Sequence, residues 1–254
     1  MKNKEHILFD DGIHKCIMFS FDDETHEDTF LSVNQYLIIQ KESAILIDPG
    51  SSNVYYELSE AISRYIDPQK LKYIFFSHQD PDVAGSIVEW NISTPAKLIV
   101  SKLWIRFMGH YGVIDMSRII PLDDFGGKIT FGDNALHFIP AHFLHSPGNF
   151  SLYDSKSKIL FSGDIGAAVQ PVTDMIKEVD NFEEHLQYME NFHKRYMGSN
   201  LFAKTWVKHI KKFDIQTIAP QHGAVFKNLH VNSFLSWFEK LKCGSDYIDE
   251  LYGV

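Results

Sequence analysis

Cysteine is close to absent. The only two, Cys16 and Cys243, lie far apart and form no Cys-x-x-Cys pair. That leaves no disulfide framework and no rubredoxin-type iron site, and it favours a reducing compartment with each thiol in a structural role. Long apolar runs are also missing. None approaches the roughly 18 residues that span a bilayer, and Met1-Lys2-Asn3-Lys4-Glu5-His6 holds no apolar segment of the signal-peptide kind. A soluble, cytoplasmic protein with no membrane partner is expected. Positive charge is in deficit, with 24 Lys and Arg against 33 Asp and Glu and a net charge of −9. No basic cluster offsets it, which argues against a nucleic-acid partner; the run at 208–212 reads as a solvated helix face. No low-complexity linker breaks the chain, so one domain over residues 1–254 is expected. The 44% hydrophobic content suffices for a substantial core.

Apolar runs and turn signals order the elements. Residues 33–39 and 44–48 read as paired strands around 40–43, and Asp48-Pro49-Gly50 stops the second. Residues 54–66 carry a helical period ended by Asp67-Pro68. Residues 73–76 form a short apolar strand. Further strands are expected at 97–100, 128–131, 135–140, 151–154, 158–162 and 216–219, and helices at 103–111, 181–197, 201–213 and 231–242. Strands and helices recur in two similar halves. The expected class is α/β (α+β), a four-layer αββα sandwich of two facing mixed sheets.

Four loops at the ends of these strands carry metal-type side chains. Ser77-His78-Gln79-Asp80-Pro81-Asp82-Val83 sets one imidazole and two carboxylates at alternate positions. The others are His142-Phe143-Leu144-His145-Ser146-Pro147-Gly148-Asn149, Ser162-Gly163-Asp164 and Gln221-His222-Gly223. One such loop reads as a turn with solvated acids. Four in succession point to a metal centre, and a carboxylate-rich set leans toward harder ions. The remaining histidines, including His14, His185 and His193, have no partner motif and read as packing or surface residues. The faces Phe234, Trp237, Phe238, Leu241 and Phe182, Tyr188, Phe192, Tyr196 read as core or dimer contacts.

In order and spacing these four motifs resemble the metallo-β-lactamase superfamily. They look most like the diiron domain of flavodiiron proteins, which carry His-x-Glu-x-Asp-His, a Leu-His-Trp-Pro motif, Ser-Asn-Asp and Ser-His-Gly. Asn34-Gln35-Tyr36-Leu37-Ile38 matches that family's Tyr-Asn-x-Tyr-Leu-Ile. The resemblance implies two non-haem irons. His78, Asp80 and His145 would bind the first, Asp82 and His222 the second, and Asp164 would bridge them beside an oxo or hydroxo group. Two positions depart from the family: Asp80 replaces Glu, and Val83 replaces a His. Val83 cannot ligate, so the second iron would keep an open side for a small ligand such as O₂.

The resemblance further implies a stand-alone oxygen-binding diiron protein that senses or scavenges O₂, or reduces O₂ or NO. No flavin segment is found on this chain, so an external donor such as a rubredoxin or a flavoprotein would be needed. A homodimer is a weaker implication. The alternative is a binuclear hydrolase of a thioester, lactone or phosphoester, in which a bridging hydroxide attacks; a third reading is a structural metal protein. Two histidines stay as secondary candidates: His26, in the polar loop 22–28, as a pocket residue, and His142 as a contact behind a ligand or a ligand itself.

Overall fold

The computed structural model describes residues 2–22, 31–113, 115–170 and 177–254. Among the described residues one sheet has seven strands in sequence order: β1 (Lys2–Asp10), β2 (His14–Asp22), β3 (Val33–Gln40), β4 (Ser43–Ile47), β5 (Leu71–Phe75), β6 (Lys97–Ser101) and β7 (Ile119–Leu122). β1 to β4 pair antiparallel, and β4 to β7 pair parallel. The parallel part takes its crossovers from helices: α1 (Tyr55–Ser63), then α2 (Pro81–Ala84) and α3 (Ile87–Ser93), then a 3₁₀ helix, Lys102–Tyr111.

The second sheet has, among the described residues, six strands: β8 (Gly127–Phe131), β9 (Asn134–Pro140), β10 (Phe150–Asp154), β11 (Ile159–Gly163), β12 (Thr217–Pro220) and β13 (Phe226–Lys227), in the order β13-β12-β11-β10-β9-β8. β11 and β12 are parallel, and the helices α4 (Phe182–Tyr196) and α5 (Asn200–Ile210) lie between them in sequence. α6 (Leu229–Phe238) and α7 (Ile248–Tyr252) follow β13.

Three apolar clusters set the layers. Met18, Tyr36, Ile45 and Phe75 from one sheet meet Phe138, Phe150, Leu152 and Phe161 from the other. Leu58, Ala61 and Ile62 of α1 and Trp90 of α3 cover the outer face of the first sheet with Leu37, Leu46 and Ile74. Met189, Trp206, Val207, Phe234 and Phe238 cover the second sheet against Leu160 and Ile218. Strands buried on both faces explain the unbroken runs Ala44-Ile45-Leu46-Ile47 and Ile159-Leu160-Phe161. This is the αββα sandwich expected from the sequence. Val83 lies fully buried in the outer cluster of the first sheet, so its side chain adds to the packing.

Several details differ from the sequence reading. β1 and β2 form a hairpin ahead of the first predicted strand. Pro81 opens α2 at its first turn, where its missing N–H costs nothing, so the loop after His78 becomes helical at once. Residues 102–111 are 3₁₀ rather than α, a distinction that apolar spacing of three to four does not resolve. No helix among the described residues is long and apolar enough to cross a membrane.

Candidate metal centre

The four loops named above meet at one end of the sandwich. β4 and β5 are parallel and so end at one rim, with Asp48 and His78 just beyond them. β9 runs parallel to β11 and β12 through the antiparallel pairs with β10, so the 141–149 loop, Asp164 and His222 share the matching end of the other sheet. Backbone bonds join the two rims. Phe150 N–H donates to Ser77 O at 3.0 Å and Asn34 N–H to Gln221 O at 2.6 Å, while Gln221 N–H donates to Gly163 O at 2.8 Å within the second rim.

Asp164 is the hub. Its Oδ2 lies 2.9 Å from His145 Nε2 and 3.6 Å from His78 Nε2, while its Oδ1 lies 3.5 Å from His222 Nε2. Asp80 Oδ2 stands 3.4 Å from His145 Nε2 and 3.9 Å from His78 Nε2. Asp82 Oδ2 stands 3.3 Å from His222 Nε2. Atoms bound at about 2.0–2.2 Å to one ion lie about 3–4 Å from each other. The six side chains thus divide into His78, Asp80, His145 on one oxygen of Asp164 and Asp82, His222 on the other. His78, His222 and Asp164 are the buried members and His145 is partly buried; Asp80 and Asp82 are 34% and 37% exposed and form the solvent side.

The fit to a cation is also chemical. His78 Nε2 and Asp164 Oδ1 are buried with no hydrogen-bond partner, an arrangement that costs free energy unless something else satisfies them. His222 Nδ1–H donates to Ser32 O at 2.8 Å, and a carbonyl can only accept, so its Nε2 is the atom presented to the cluster. His78 Nδ1 pairs with Ser77 Oγ at 2.9 Å, again turning Nε2 inward. Ser77 N–H in turn donates to Asp48 Oδ1 at 2.7 Å, and burial lifts that carboxyl to about 6.

Three imidazoles interleave three carboxylates, and the pKa shifts follow. Burial works against charge on Asp164, but His78, His145 and His222 hold it far below the usual carboxylate range. Burial likewise works against His222, yet Asp82 and Asp164 raise it to about 9. His145 is raised the same way, against burial, by Asp164. Protons held on His145 and His222 in the metal-free chain therefore offset the carboxylates, and a cation has to displace them.

Other candidates fall elsewhere. His142 does not reach the cluster. Gly148 N–H donates to its Nδ1 at 3.2 Å, which leaves Nε2–H to donate to Asp124 O at 2.8 Å, so it ties the 141–149 loop to the neighbouring turn. His26 lies outside the described residues. A second cluster that residue types alone would pass as a metal site is His14, Cys16 and Asp154, all buried. Here His14 Nδ1 faces Gln40 Oε1 at 2.6 Å and Nε2 faces Asp154 Oδ2 at 2.7 Å. Gln40 Nε2 donates to Asp133, so its oxygen accepts and both imidazole nitrogens act as donors. This is a buried ion pair between the sheets, at the opposite end of β10 from the metal centre. Burial opposes the charge on His14, and Asp154 overcomes it and raises its pKa.

Asn34 and Tyr36 were legible as a motif but not as a device. Asn34 Nδ2 donates to Pro220 O at 3.1 Å and Gly223 O at 2.9 Å, and Tyr36 Oη donates to Pro220 O, so the pair clamps the loop that carries His222. Phe192 and Tyr196, read as packing, stack on each other with centroids 4.7 Å apart, and the Tyr196 ring stands 5.9 Å from that of His145.

Comparison with known proteins finds relatives of the same fold. A family model described as ODP family beta lactamase matches residues 31–223. Two structures of chemotaxis sensor ODP, one a peroxy diiron species and one the apo state from T. denticola, superpose with a TM-score of 0.87 at 43% identity. The first covers 97% of this chain and 99% of its own. A flavo di-iron protein from Thermotoga maritima shares the fold, with a TM-score of 0.78 at 22% identity over 94% of this chain and 60% of that one. Nitric oxide reductase from Moorella thermoacetica is 28% identical over 212 residues, or 80% of this chain and 51% of the relative. The chain thus spans about half the length of that curated relative.

Proposed function

The chain belongs to the ODP family of beta lactamases, and from that membership we propose that it is a non-haem diiron protein that binds dioxygen, acting as one domain over residues 1–254. The observation that carries the reading is the division of Asp164, with one carboxylate oxygen toward His145 and His78 and the other toward His222. His78, Asp80 and His145 would hold one iron, Asp82 and His222 the other, and Asp164 both. An iron pair held there supplies two electrons and a binding face for a diatomic gas. Three carboxylates suit such a redox-active ion better than the nitrogen-rich sets of zinc hydrolases.

The protein's own residues orient and select. Ser32 and Ser77 set which nitrogen of His222 and His78 faces inward. Asp80 and Asp82 keep the solvent side polar. Val83 is turned into the apolar layer and offers no lone pair. A sensing role is favoured over turnover by the likeness along 99% of a chemotaxis sensor; return to the ferrous state would take electrons from an external donor of rubredoxin or flavoprotein type.

The test is optical. Protein loaded with ferrous iron without air should be colourless, gain a charge-transfer band on mixing with O₂, and lose it on reduction. A protein that stays colourless in air, retains zinc and cleaves a thioester, lactone or phosphoester would replace this reading with the hydrolase.

A further inference from the structure

Gly166, two residues past Asp164, bonds to a side chain 27 residues further along the chain. Asp164 stands in a tight turn after β11. Ser162 Oγ donates to Ile165 O at 2.6 Å, Ile165 N–H to Ser162 O at 3.3 Å, and Ala167 N–H to Asp164 O at 3.0 Å. Gly166 has φ +96°, where a Cβ would be strained and would press on the Phe226 ring at 3.1 Å. Its N–H points away from the turn and donates to His193 Nε2 at 2.9 Å.

His193 can take that role in one state only. Its Nδ1 faces Met189 O at 2.8 Å. A carbonyl accepts, so Nδ1 carries the hydrogen and Nε2 is free to accept from Gly166. Both bonds together require the neutral imidazole with one defined tautomer. Its surroundings enforce this: the ring is fully buried and edged by Phe192, Phe234, Trp237 and Phe238. Burial pushes its pKa down to about 4.

We propose that His193 is a positioning residue for the bridging carboxylate: it anchors the Asp164 turn to α4 through Gly166 and so keeps the two oxygens of Asp164 facing the two halves of the site. The inference rests on reading Asp164 as the bridge. The same helix backs a second ligand loop, since Gly198 N–H, just past its end, donates to Phe143 O at 2.8 Å and its Phe192 and Tyr196 flank the His145 ring. One helix thereby sets the positions of ligands from two different loops.

Two variants of the full chain separate positioning from packing. His193→Phe fills the space but cannot accept a hydrogen bond. His193→Gln places an amide oxygen near Nε2 and can accept. Affinity for Fe(II), titrated without air against a competing chelator, and the absorption band formed on exposure to O₂ are read for each. The expected result is a loss of about 10- to 100-fold in affinity and a shifted band for His193→Phe, with His193→Gln close to wild type in both. Equal affinities and bands for all three proteins would overturn the proposal, as would equal losses in both variants, which would reduce His193 to a filler. If His193→Phe does not fold, His193→Gln decides alone: retained affinity supports the role and lost affinity removes it. A wild-type chain that binds no pair of irons would sink the bridge itself, an outcome distinct from any difference between variants.

Discussion

Removing the Asp164 carboxylate is the most informative single change. Its two oxygens stand 2.9 Å from His145 Nε2 and 3.5 Å from His222 Nε2, so one anion serves both halves of the site. A unit charge about 4 Å from another contributes about 4 kcal/mol at an effective dielectric constant of 20, which corresponds to about three decades in affinity. Asp164→Asn keeps the volume and removes that charge from both halves at once. Asp82→Ala removes a carboxylate that faces only His222. Metal analysis after loading with excess Fe(II) and desalting should therefore give two irons per chain for the wild type, close to one for Asp82→Ala and close to none for Asp164→Asn. Retention of both irons by Asp164→Asn, or the same loss in the two variants, would refute the division of the site around Asp164.

Further outcomes follow from the same geometry. A bound metal at 100 times its Kd adds about 2.7 kcal/mol to stability; at about 2–4 °C per kcal/mol for a chain near this size, chelation should lower the melting temperature by about 5–10 °C in calorimetry, and an unmoved transition would break the link between metal and fold. Because Asp82 and Asp164 raise His222 to about 9 against the cost of burial, its proton competes with the metal below that pH. Competition titrations should show affinity rising about tenfold per pH unit from pH 7 toward 9, and a flat profile would contradict the interleaved charges. His14→Ala leaves Asp154 buried without its counter-charge and should cost about 3–5 kcal/mol in chemical denaturation while the iron content stays at the wild-type value. For that pair the sign with pH is fixed. His14 is raised, so its contribution is complete below about 6.5 and fades as pH rises through its folded pKa; Asp154 is lowered by His14 against the cost of burial, so its contribution is complete above about 3.9 and fades as pH falls through its own. Asn34→Ala, which takes the side-chain donor from Gly223 O and leaves Pro220 O only the Tyr36 hydroxyl, should cost about 1–3 kcal/mol and weaken the Asp82 half of the site before the other.

The parts that could be read from sequence are those in which one segment carries its own signal. Tyr73-Ile74-Phe75-Phe76 followed by His78, and Ile159-Leu160-Phe161 followed by Asp164, each state a strand, its end and a ligand within ten residues. Four repetitions of that pattern sufficed for the sandwich and for the cluster at its rim. What escaped depends on partners far away in the chain. His14 and Asp154 meet across 140 positions, and neither has a local motif, so His14 looked like an ordinary packing residue. His193 looked the same, and only the direction of the Gly166 N–H distinguishes it. Pro81 misled because the residue that commonly ends a strand in a turn also opens a helix. Of the first hairpin, β1 escaped because Lys2-Asn3-Lys4-Glu5-His6 lacks the apolar alternation that marks a strand, although the pairing with β2 makes one; the apolar run Cys16-Ile17-Met18-Phe19 of β2 was legible.

Anomalous scattering at the iron edge from crystals of iron-loaded protein locates the metal ions relative to Asp164. Two iron peaks are expected, one beside each oxygen of Asp164, the first within reach of His78, Asp80 and His145 and the second within reach of Asp82 and His222. A single peak, or a pair that leaves Asp164 out of contact with either ion, would contradict that arrangement.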